Sequence, residues 1–295
     1  MDFGQYLKEK AEEGNRYINR YFDGLKTSHS TIYEAMRYSI EAGGKRLRMT
    51  MLTEACRLFN VDPADSVPFG CAMEMIHAYS LIHDDLPAMD NGTLRRGKPC
   101  NHLAYGEDMA ILAGDGLLSY AFEIMTKHAI QNPEKSAAYM RAIYEVAKGA
   151  GVTGMLLGQA TDVQTEDKPK DIVLLEEIHH RKTAAMFMGA VKAGAAIGGG
   201  SEQDITTMGE YAYHFGVAFQ ITDDILDETG DAAKLGKDTG LDQKNHKTTY
   251  SSLLGVDKAR AEAKAHMDTA KRMVQPIDRH GFFAQLCDYV LNRDT

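Results

Sequence analysis

Apolar residues recur with the period of an α-helix along almost the whole chain. Ala72, Met75, Ile76, Tyr79 and Ile82 fall at positions i, i+3, i+4, i+7 and i+10, which places them on one side of a helix. A second stripe of this kind contains Tyr211, Phe215, Ala218 and Phe219. Runs of alternating β-branched residues, which are typical of strands, do not occur in the sequence. The pattern therefore predicts an all-α fold.

Nothing in the sequence divides these helical segments into separate domains. No low-complexity linker is found, and most of the 7 prolines fall where helices are expected to break. Residues 198–201 are predicted to form a turn, and residues 229–241 a glycine-containing loop. We expect residues 1–295 to form a single domain of roughly ten helices, in the bundle class.

The composition is that of a globular protein that does not bind nucleic acids. The 295 residues are 44% hydrophobic and 25% charged, with a net charge of -9, whereas proteins that bind nucleic acids are usually basic. The 4 cysteines show no CxxC spacing, which favours a reducing, cytoplasmic location. Residues 1–13 lack the apolar core of a signal peptide, and Lys192 interrupts the apolar stretch 184–200. That stretch is shorter than the roughly 20 residues of a spanning helix, so we expect no membrane span.

A first group of acidic residues follows the apolar stripe that contains Tyr79. It contains Asp84, Asp85 and Asp90, with Pro87 between them. Because proline disrupts the interior of a helix, we expect a helix to end or kink inside this motif. The motif lacks the alternating acids, the glycine and the final glutamate of a calcium-binding EF-hand loop, which excludes that kind of site.

A second group contains Asp223, Asp224 and Asp227, preceded by Gln220. The four residues fall at i, i+3, i+4 and i+7, so one helical face carries an amide and three carboxylates. Like charges this close destabilise a helix unless a cation neutralises them. Carboxylates without His or Cys suit a hard cation such as Mg²⁺, shared with substrate phosphates. The competing interpretation is a solvated helix end, and two clusters of similar form make it the weaker one.

Two short motifs concentrate basic residues in this acidic protein. Residues 43–48 read GGKRLR, and residues 95–98 read RRGK. Glycine lets the backbone approach an oxyanion, and arginine offers a forked donor to phosphate oxygens. Taken alone, the first motif is more typical of a helix C-cap and the second of a solvated turn. Four single residues are weaker signals, typical of a core histidine and of surface lysines: His77, Lys182, Lys237 and Lys247.

Considered together, the acidic and basic motifs predict a site for a diphosphate and metal ions. The sequence has no P-loop, GxSxG or HExxH motif, which argues against kinase, GTPase, hydrolase and metalloprotease layouts. The chemistry that remains is the departure of a diphosphate whose developing charge is stabilised by metal ions and basic side chains.

At these motifs the sequence resembles the trans-isoprenyl diphosphate synthases. The similarity extends from about Tyr33 to residues 292–294 and keeps both the order and the spacing of the motifs. It includes GGKRLR at 43–48, DDxxxxD at 84–90, LRRGKP at 94–99, Lys182-Thr183, and FQ followed by DDxxD at 219–227. The resemblance implies a bundle of mostly antiparallel helices around a central cavity, working as a homodimer.

The resemblance also implies a reaction. Three Mg²⁺ ions, with Mn²⁺ as an alternative, would lie between the two aspartate motifs and the allylic substrate. Dimethylallyl or geranyl diphosphate would ionise, and the double bond of isopentenyl diphosphate would attack the carbocation head-to-tail, with loss of a proton. The expected product is farnesyl diphosphate (C15). Many geranylgeranyl (C20) synthases share the four-residue spacer of the first motif, so the C20 product is the alternative.

Individual residues match the functional positions of the family. The implied contacts of isopentenyl diphosphate are Gly44, Lys45, Arg48, His77 and Arg96. The implied contacts of the allylic diphosphate are Arg95, Lys182, Gln220, Lys237 and Lys247, and Thr183 joins Lys182 and Gln220 near the developing cation. The implied metal ligands are Asp84, Asp85, Asp90 and Asp223, with Asp224 and Asp227 as weaker or water-mediated ones. The chain departs from the family at Gly92 and Thr93, where further acids are usual, and at Met49, where proline is usual.

The side chains just upstream of the first aspartate motif are implied to set the product length. Tyr79 and Ser80 precede Asp84 by five and four residues, and five residues span about 7.5 Å of helix. A bulky Tyr79 is expected to stop growth at C15. Because Tyr79 points about 140° away from Asp84, its ring must lean across the channel or share this role. The competing interpretation is a simple core aromatic.

Other functions account for fewer of these features. A terpene cyclase needs no isopentenyl site at Lys45, Arg48 and His77. A regulatory subunit need not keep both aspartate motifs, and a metal-binding bundle leaves the basic motifs unexplained.

Overall fold

The computed structural model describes residues 2–25, 31–59, 61–166, 168, 170–229 and 248–293. Within this part of the chain the fold is built from α-helices, as predicted. The first seven are α1 (Phe3–Asp23), α2 (Thr31–Glu41), α3 (Leu47–Arg57), α4 (Val67–Asp84), α5 (Asn101–Tyr105), α6 (Glu107–Gln131) and α7 (Ser136–Ala150). The others are α8 (Met155–Gln164), α9 (Ile172–His179), α10 (Ala185–Ile197), α11 (Glu202–Thr229), α12 (Tyr250–Leu254), α13 (Val256–Val274) and α14 (Phe282–Leu291).

Short irregular elements connect several helices. Two 3₁₀ turns, Pro63–Ser66 and Pro133–Lys135, precede α4 and α7, and a π-helical turn, His180–Ala184, joins α9 to α10. Strands β1 (Leu94–Arg95) and β2 (Lys98–Pro99) form a small antiparallel hairpin. Sequence periodicity did not predict these strands, because two-residue strands are too short to show an alternating pattern.

Helix α10 lies at the centre of the fold and separates two hydrophobic clusters. Eleven of its 13 residues are buried, and it packs against α3, α7 and α11. Met186 and Ala190 belong to a cluster with α4 and α6, whereas Phe187 and Val191 belong to a cluster with α11, α13 and α14. The stripe of α4 predicted from the sequence is buried in the first of these clusters.

The small residues of α10 allow close contact between helices. A Cβ atom on Gly194 would lie 2.1 Å from the carbonyl oxygen of Leu52 in α3, so a larger residue cannot fit without backbone movement. Lys192, which interrupts the apolar stretch 184–200, pairs with the buried Glu145 at 2.7 Å. This stretch is therefore a core helix of the bundle.

The predicted chain breaks agree with the structure where it describes them. Helix α4 ends at Asp84, before Pro87, and a turn separates α10 from α11. Helix α11 ends at Thr229, and the rest of the predicted loop to Leu241 lies outside the described residues. Among the described helices, α6 is long and apolar enough to cross a membrane by length and composition alone, and 39% of its most apolar window is buried.

Candidate active site

The first aspartate motif folds back on the end of α4. After the helix ends at Asp84, the amide of Asp90 donates a hydrogen bond to the Asp84 carbonyl at 2.9 Å, and the amide of Gly92 donates to the Asp85 carbonyl at 3.2 Å. The loop around Pro87 thus brings Asp90 back beside Asp84. All three predicted acids of this motif lie at one helix end.

An arginine of the hairpin holds the middle acid of this motif. Arg95 donates from Nε and Nη2 to the two carboxylate oxygens of the buried Asp85, at 2.8 and 2.7 Å. A Cβ atom on Gly92 would lie 2.8 Å from Asp85 Oδ1, so a side chain there would require the Asp85 carboxylate to shift. The departure from the family at Gly92 therefore leaves room for this forked ion pair.

Burial disfavours the charged form of Asp84 in the first motif. Desolvation raises the pKa of Asp84 to about 6, the charges of Asp90 and Asp85 add to this, and Lys182 and Arg95 oppose it. A carboxyl whose charged form is disfavoured in this way gains most from a nearby cation. A bound cation at this motif would therefore offset the cost of burying Asp84.

Lys182 and Thr183 lie in the π-helical turn between α9 and α10. Such turns are frequent at functional sites because they redirect side chains without ending the helix. A Cβ atom on Gly158 of α8 would lie 2.2 Å from the amide nitrogen of Lys182, so the turn packs directly on this glycine. Close contact with α8 therefore depends on glycine at position 158.

Asp162 of α8 is an acidic residue of the site that sequence reasoning missed. It accepts hydrogen bonds from Lys182 at 2.9 Å and from the buried Lys170 at 3.3 Å. Burial alone would lower the pKa of Lys182, but the carboxylates of Asp162 and Asp84 outweigh it and raise that pKa. Its only signal in the sequence is an acid four residues after a glycine, which is too common to single out.

The second aspartate motif contains a chain of hydrogen bonds. Thr183 Oγ1 donates to Gln220 Oε1 at 3.0 Å, and Gln220 Nε2 donates to Asp224 Oδ1 at 3.1 Å. The other oxygen of Asp224 accepts the amide of Tyr250 at 3.1 Å and lies 3.9 Å from Nε2 of His179. Asp224 and Asp227 are buried. Asp224 therefore orients Gln220 and, through it, Thr183.

The first acid of the second motif has a different environment. Asp223 is about one-third exposed and pairs with Arg293, which follows α14. Sequence comparison placed Arg293 inside the region of resemblance without giving it a role. Each acidic motif thus contains one carboxylate that is already bound to an arginine.

A group of arginines surrounds His77. Desolvation lowers the pKa of His77 well below its usual value, and four guanidinium groups add to this effect. These arginines are Arg48, Arg96, Arg95 and Arg46. The imidazole is therefore neutral at pH 7, and the cations around it attract an anion.

The geometry of the hairpin explains how Arg96 reaches this group. Arg96 and Gly97 have φ values of 53° and 75°, so they occupy the turn of the hairpin in the left-handed region. A Cβ atom on Gly44 would lie 2.5 Å from Nη1 of Arg96, and Gly44 itself has a φ of 126°. Glycine at position 44 thus leaves the space that the Arg96 guanidinium occupies.

Two arginines of the GGKRLR motif have different environments. Arg46 is buried at the start of α3, where it bonds to Asn15, to Glu74 and to the carbonyl of Ile40. The guanidinium of Arg48 lies 4.5 Å from the centre of the Phe187 ring, and its buried Nε has no hydrogen-bond partner among the described residues. Arg46 therefore stabilises the fold, while Arg48 keeps a donor for a ligand. Lys45 of the same motif is exposed.

The structure places the remaining predicted residues as follows. Tyr79 is buried, with its ring centre 5.6 Å from that of His83, and the Ser80 hydroxyl donates to the carbonyl of His77. Thr93 is exposed, and Met49 is buried. Lys237 and Lys247 lie outside the described residues.

The acids of both motifs suit a hard divalent cation. Their donors are carboxylate oxygens, and Asp84 carries an unfavourable buried charge. Within the described ranges, no three His, Cys, Asp or Glu side chains already converge at metal-binding distances. Bound ions would therefore complete their coordination with phosphate oxygens and water, as Mg²⁺ commonly does.

Comparison with known sequences identifies one family. The polyprenyl synthetase profile matches residues 29–279. The farnesyl diphosphate synthase of Geobacillus stearothermophilus is 45% identical over 291 residues, which cover 98% of this chain and 97% of that protein. Geranylgeranyl pyrophosphate synthase 9 (chloroplastic) of Arabidopsis thaliana is 46% identical over 283 residues, which cover 94% of this chain and 77% of that protein.

Solved structures show the same fold. An FPP/GFPP synthase from Zymomonas mobilis has a TM-score of 0.84 and 35% identity, and the match covers 97% of this chain and 99% of that one. A geranyltransferase from Helicobacter pylori, complexed with magnesium and isoprenyl diphosphate, has a TM-score of 0.84 and 27% identity, with 99% and 97% of the two chains covered.

The buried Arg46–Glu74 pair generates a prediction for stability. Glu74 accepts hydrogen bonds from the amide of Met49 at 3.1 Å and from Arg46 at 3.4 Å. Because Glu74→Gln leaves the Arg46 charge buried without its counter-ion, it is expected to lower the free energy of unfolding by about 3 kcal/mol. Urea unfolding measures this loss. In the exposed Lys264–Asp268 pair, Lys264→Gln should change that free energy by about 0.5 kcal/mol or less, and similar losses in both variants would contradict the interpretation.

Proposed function

The chain belongs to the polyprenyl synthetase family and is a prenyltransferase, and on this premise we propose that it is a farnesyl diphosphate synthase. The proposed reaction joins isopentenyl diphosphate head-to-tail to dimethylallyl and then geranyl diphosphate, with release of diphosphate. The observation that supports it most directly is the meeting of basic and acidic groups in one site. Arginines gather around a neutral His77, and one of them, Arg95, pairs with Asp85 of the first aspartate motif. Lys182 adds a positive charge that acts on Asp84 of the same motif.

The proposed isopentenyl diphosphate site is the basic group around His77. Arg48 and Arg96 offer forked donors for its phosphate oxygens, and Lys45 adds a charge at the edge. Desolvation lowers the pKa of Arg96 to about 10, and the crowding of like charges around it adds to this effect. A bound diphosphate would relieve this repulsion, which is the physical reason to place the anion here.

The proposed allylic site lies between the aspartate motifs. The chain's own groups for this diphosphate are Arg95, Lys182 and Gln220, together with Lys237 and Lys247. The proposed cofactor is Mg²⁺, three ions per site with Mn²⁺ as an alternative, which supplies Lewis-acid stabilisation of the leaving diphosphate. The proposed ligands are Asp84, Asp85, Asp90 and Asp223, with Asp224 and Asp227 as weaker or water-mediated ones.

Polar groups beside the allylic site would stabilise the developing carbocation. The Thr183 oxygen and the Gln220 amide lie in one hydrogen-bonded chain anchored by Asp224. Because both dipoles are held in advance, they cost little reorganisation when positive charge forms at the allylic carbon. His179 next to this chain stays neutral, because burial lowers its pKa to about 3. It therefore adds no positive charge close to the cation.

A product assay tests the proposed function. The protein is supplied with dimethylallyl diphosphate, labelled isopentenyl diphosphate and Mg²⁺, and the products are dephosphorylated and sized as alcohols. We expect a C15 alcohol that disappears with a chelator and returns with added Mg²⁺. A C20 product would favour the alternative, a geranylgeranyl diphosphate synthase, for which the 46% identity to a plant enzyme is the specific observation. Absence of chain growth from any allylic primer would contradict both.

Tyr79, together with Ser80, is the proposed limit on product length. Tyr79→Ala removes a ring that is 5% exposed and opens space upstream of Asp84, so we expect the main product to lengthen from C15 to C20. The loss of buried contacts should also cost about 3 kcal/mol of stability. The same assay measures the product, with Tyr79→Phe as a control that keeps the ring and the C15 product. An unchanged C15 product from Tyr79→Ala would count against this role.

We propose that the enzyme is a homodimer that works in the cytoplasm. Several large apolar side chains of α5 to α8 are exposed, which is unusual for a free surface: Leu103, Ile111, Leu112, Met140, Tyr144, Leu156 and Leu157. A second copy packed on α6 would cover part of this surface and account for the low burial of that apolar helix. The cytoplasmic location is supported by 4 cysteines that are all buried and unpaired.

Sedimentation equilibrium tests the dimer. The wild-type mass should be twice 32.6 kDa. Leu112→Glu places a charge on a side chain that is 48% exposed in the single chain, so it should yield a folded monomer. The exposed Val173, at 69%, lies on α9, and Val173→Glu should leave the dimer intact. A wild-type monomer at micromolar concentration would contradict the proposal.

A further inference from the structure

Arg293 makes three contacts with the helix that carries the second aspartate motif. Its guanidinium pairs with Asp223, donates from Nη2 to the carbonyl oxygen of Phe219 at 3.3 Å, and lies 4.2 Å from the centre of the Phe219 ring. The side chain is only 6% exposed. A long side chain is therefore fixed in one position against α11.

These contacts leave one hydrogen-bond donor of Arg293 without a partner among the described residues. The Nε atom of Arg293 is buried and has no hydrogen-bond partner among the described residues. A buried donor without a partner costs free energy, so the position is not the best one for the arginine itself. The arrangement is explained instead by the ion pair with the Asp223 carboxylate, which the Arg293 guanidinium neutralises.

Anchoring of α14 does not require Arg293. The helix buries Phe282, Phe283, Leu286 and Val290 in the hydrophobic cluster with α11 and α13. The hydroxyl of Tyr211 also donates a hydrogen bond to the carbonyl of Phe283 at 3.1 Å. The packing of α14 thus positions Arg293, rather than the reverse.

The same carboxylate also acts on two other cations. Desolvation lowers the pKa of Lys45, and the positive charge of Arg293 adds to this, while Asp223 opposes it. Burial likewise lowers the pKa of Arg48, and Asp223 is among the acids that oppose it. Arg293 therefore lies where the second aspartate motif meets the basic residues of the proposed isopentenyl site.

We propose that Arg293 is a positioning residue that occupies the second aspartate motif until a divalent cation replaces it. It neutralises Asp223, holds that carboxylate at the site, and leaves it when the ion binds together with a diphosphate. This inference rests on the proposed function, since it assumes that Asp223 is a metal ligand. It adds a competition: Arg293 and the metal cannot both take the same carboxylate oxygen.

Calorimetry tests the competition directly. Mg²⁺ is titrated into the full-length protein saturated with inorganic diphosphate, for the wild type and for Arg293→Gln. Removal of the competing cation should tighten the apparent Mg²⁺ affinity about tenfold, which corresponds to about 1.4 kcal/mol. Arg293→Lys keeps the charge without the forked geometry, so its affinity should lie between the two.

A matched control removes an ion pair near the same helix but away from the site. Lys271 of α13 pairs with Asp288 of α14, and both side chains are partly exposed. Lys271→Gln should therefore leave the Mg²⁺ affinity unchanged. If this variant tightens the affinity as much as Arg293→Gln does, loosening of α14 explains the effect and the proposal is overturned.

Thermal unfolding, measured with and without Mg²⁺, gives a second readout that does not depend on a binding titration. Without Mg²⁺, Arg293→Gln should lower the midpoint by about 2 °C, because Asp223 loses its counter-ion. With Mg²⁺ and diphosphate the difference should disappear or reverse, because tighter binding stabilises the variant more. A difference that stays the same under both conditions would show that Arg293 is merely structural.

The remaining outcomes separate this inference from the proposed function. Equal or weaker Mg²⁺ affinity in Arg293→Gln, beside clear binding by the wild type, would overturn the role of Arg293 alone. No Mg²⁺ binding by the wild type with diphosphate present would overturn the metal site itself, and this inference with it.

Discussion

The central constraint on this protein is the cost of holding carboxylates in a partly buried site. Burial disfavours their charged form, as the raised pKa of Asp84 shows. The structure offsets part of this cost with three ion pairs, each joining an acid of the site to a basic side chain from another element: Asp85 with Arg95, Asp162 with Lys182, and Asp223 with Arg293. The fold brings the two side chains of each pair within hydrogen-bonding distance.

Close backbone packing allows the side chains of these ion pairs to approach each other. Gly158 lets α8 approach the π-helical turn, so Asp162 reaches Lys182, and Gly92 leaves room for the pair between Asp85 and Arg95. On the basic side, Gly44 leaves room for Arg96. The glycines therefore act mainly through the side chains that they allow to approach.

The same pairs suggest how the site responds to its ligands. An arginine or lysine bound to a carboxylate is also a good partner for phosphate oxygens. If the proposed function holds, a diphosphate and divalent cations would enter together, and the pairs Asp85–Arg95 and Asp223–Arg293 would exchange both members: the acid would turn to the metal, and the base to the phosphate. This exchange keeps every charge compensated, so it avoids the penalty of a buried unpaired ion.

Features that depend on local sequence could be predicted, whereas those that depend on distant contacts could not. The apolar stripe of α4, its end before Pro87 and the helical spacing of Gln220 and Asp224 were all readable from short segments. The roles of Asp162 and Arg293 were not, because each depends on a partner 20 and 70 residues away, respectively. The π-helical turn was also missed, since a single turn of this kind leaves no periodic signal in the sequence.

The central claim is that Asp85 and Asp223 bind divalent cations only in exchange for their arginine partners. Mg²⁺ titrated calorimetrically into the wild-type protein, first alone and then with inorganic diphosphate, tests this claim most directly. The account predicts no saturable binding of Mg²⁺ alone at millimolar concentration. With diphosphate present to receive the arginines, it predicts binding to the protein beyond the binding of Mg²⁺ to diphosphate in a titration without protein. Equally tight Mg²⁺ binding in the absence of diphosphate would contradict it.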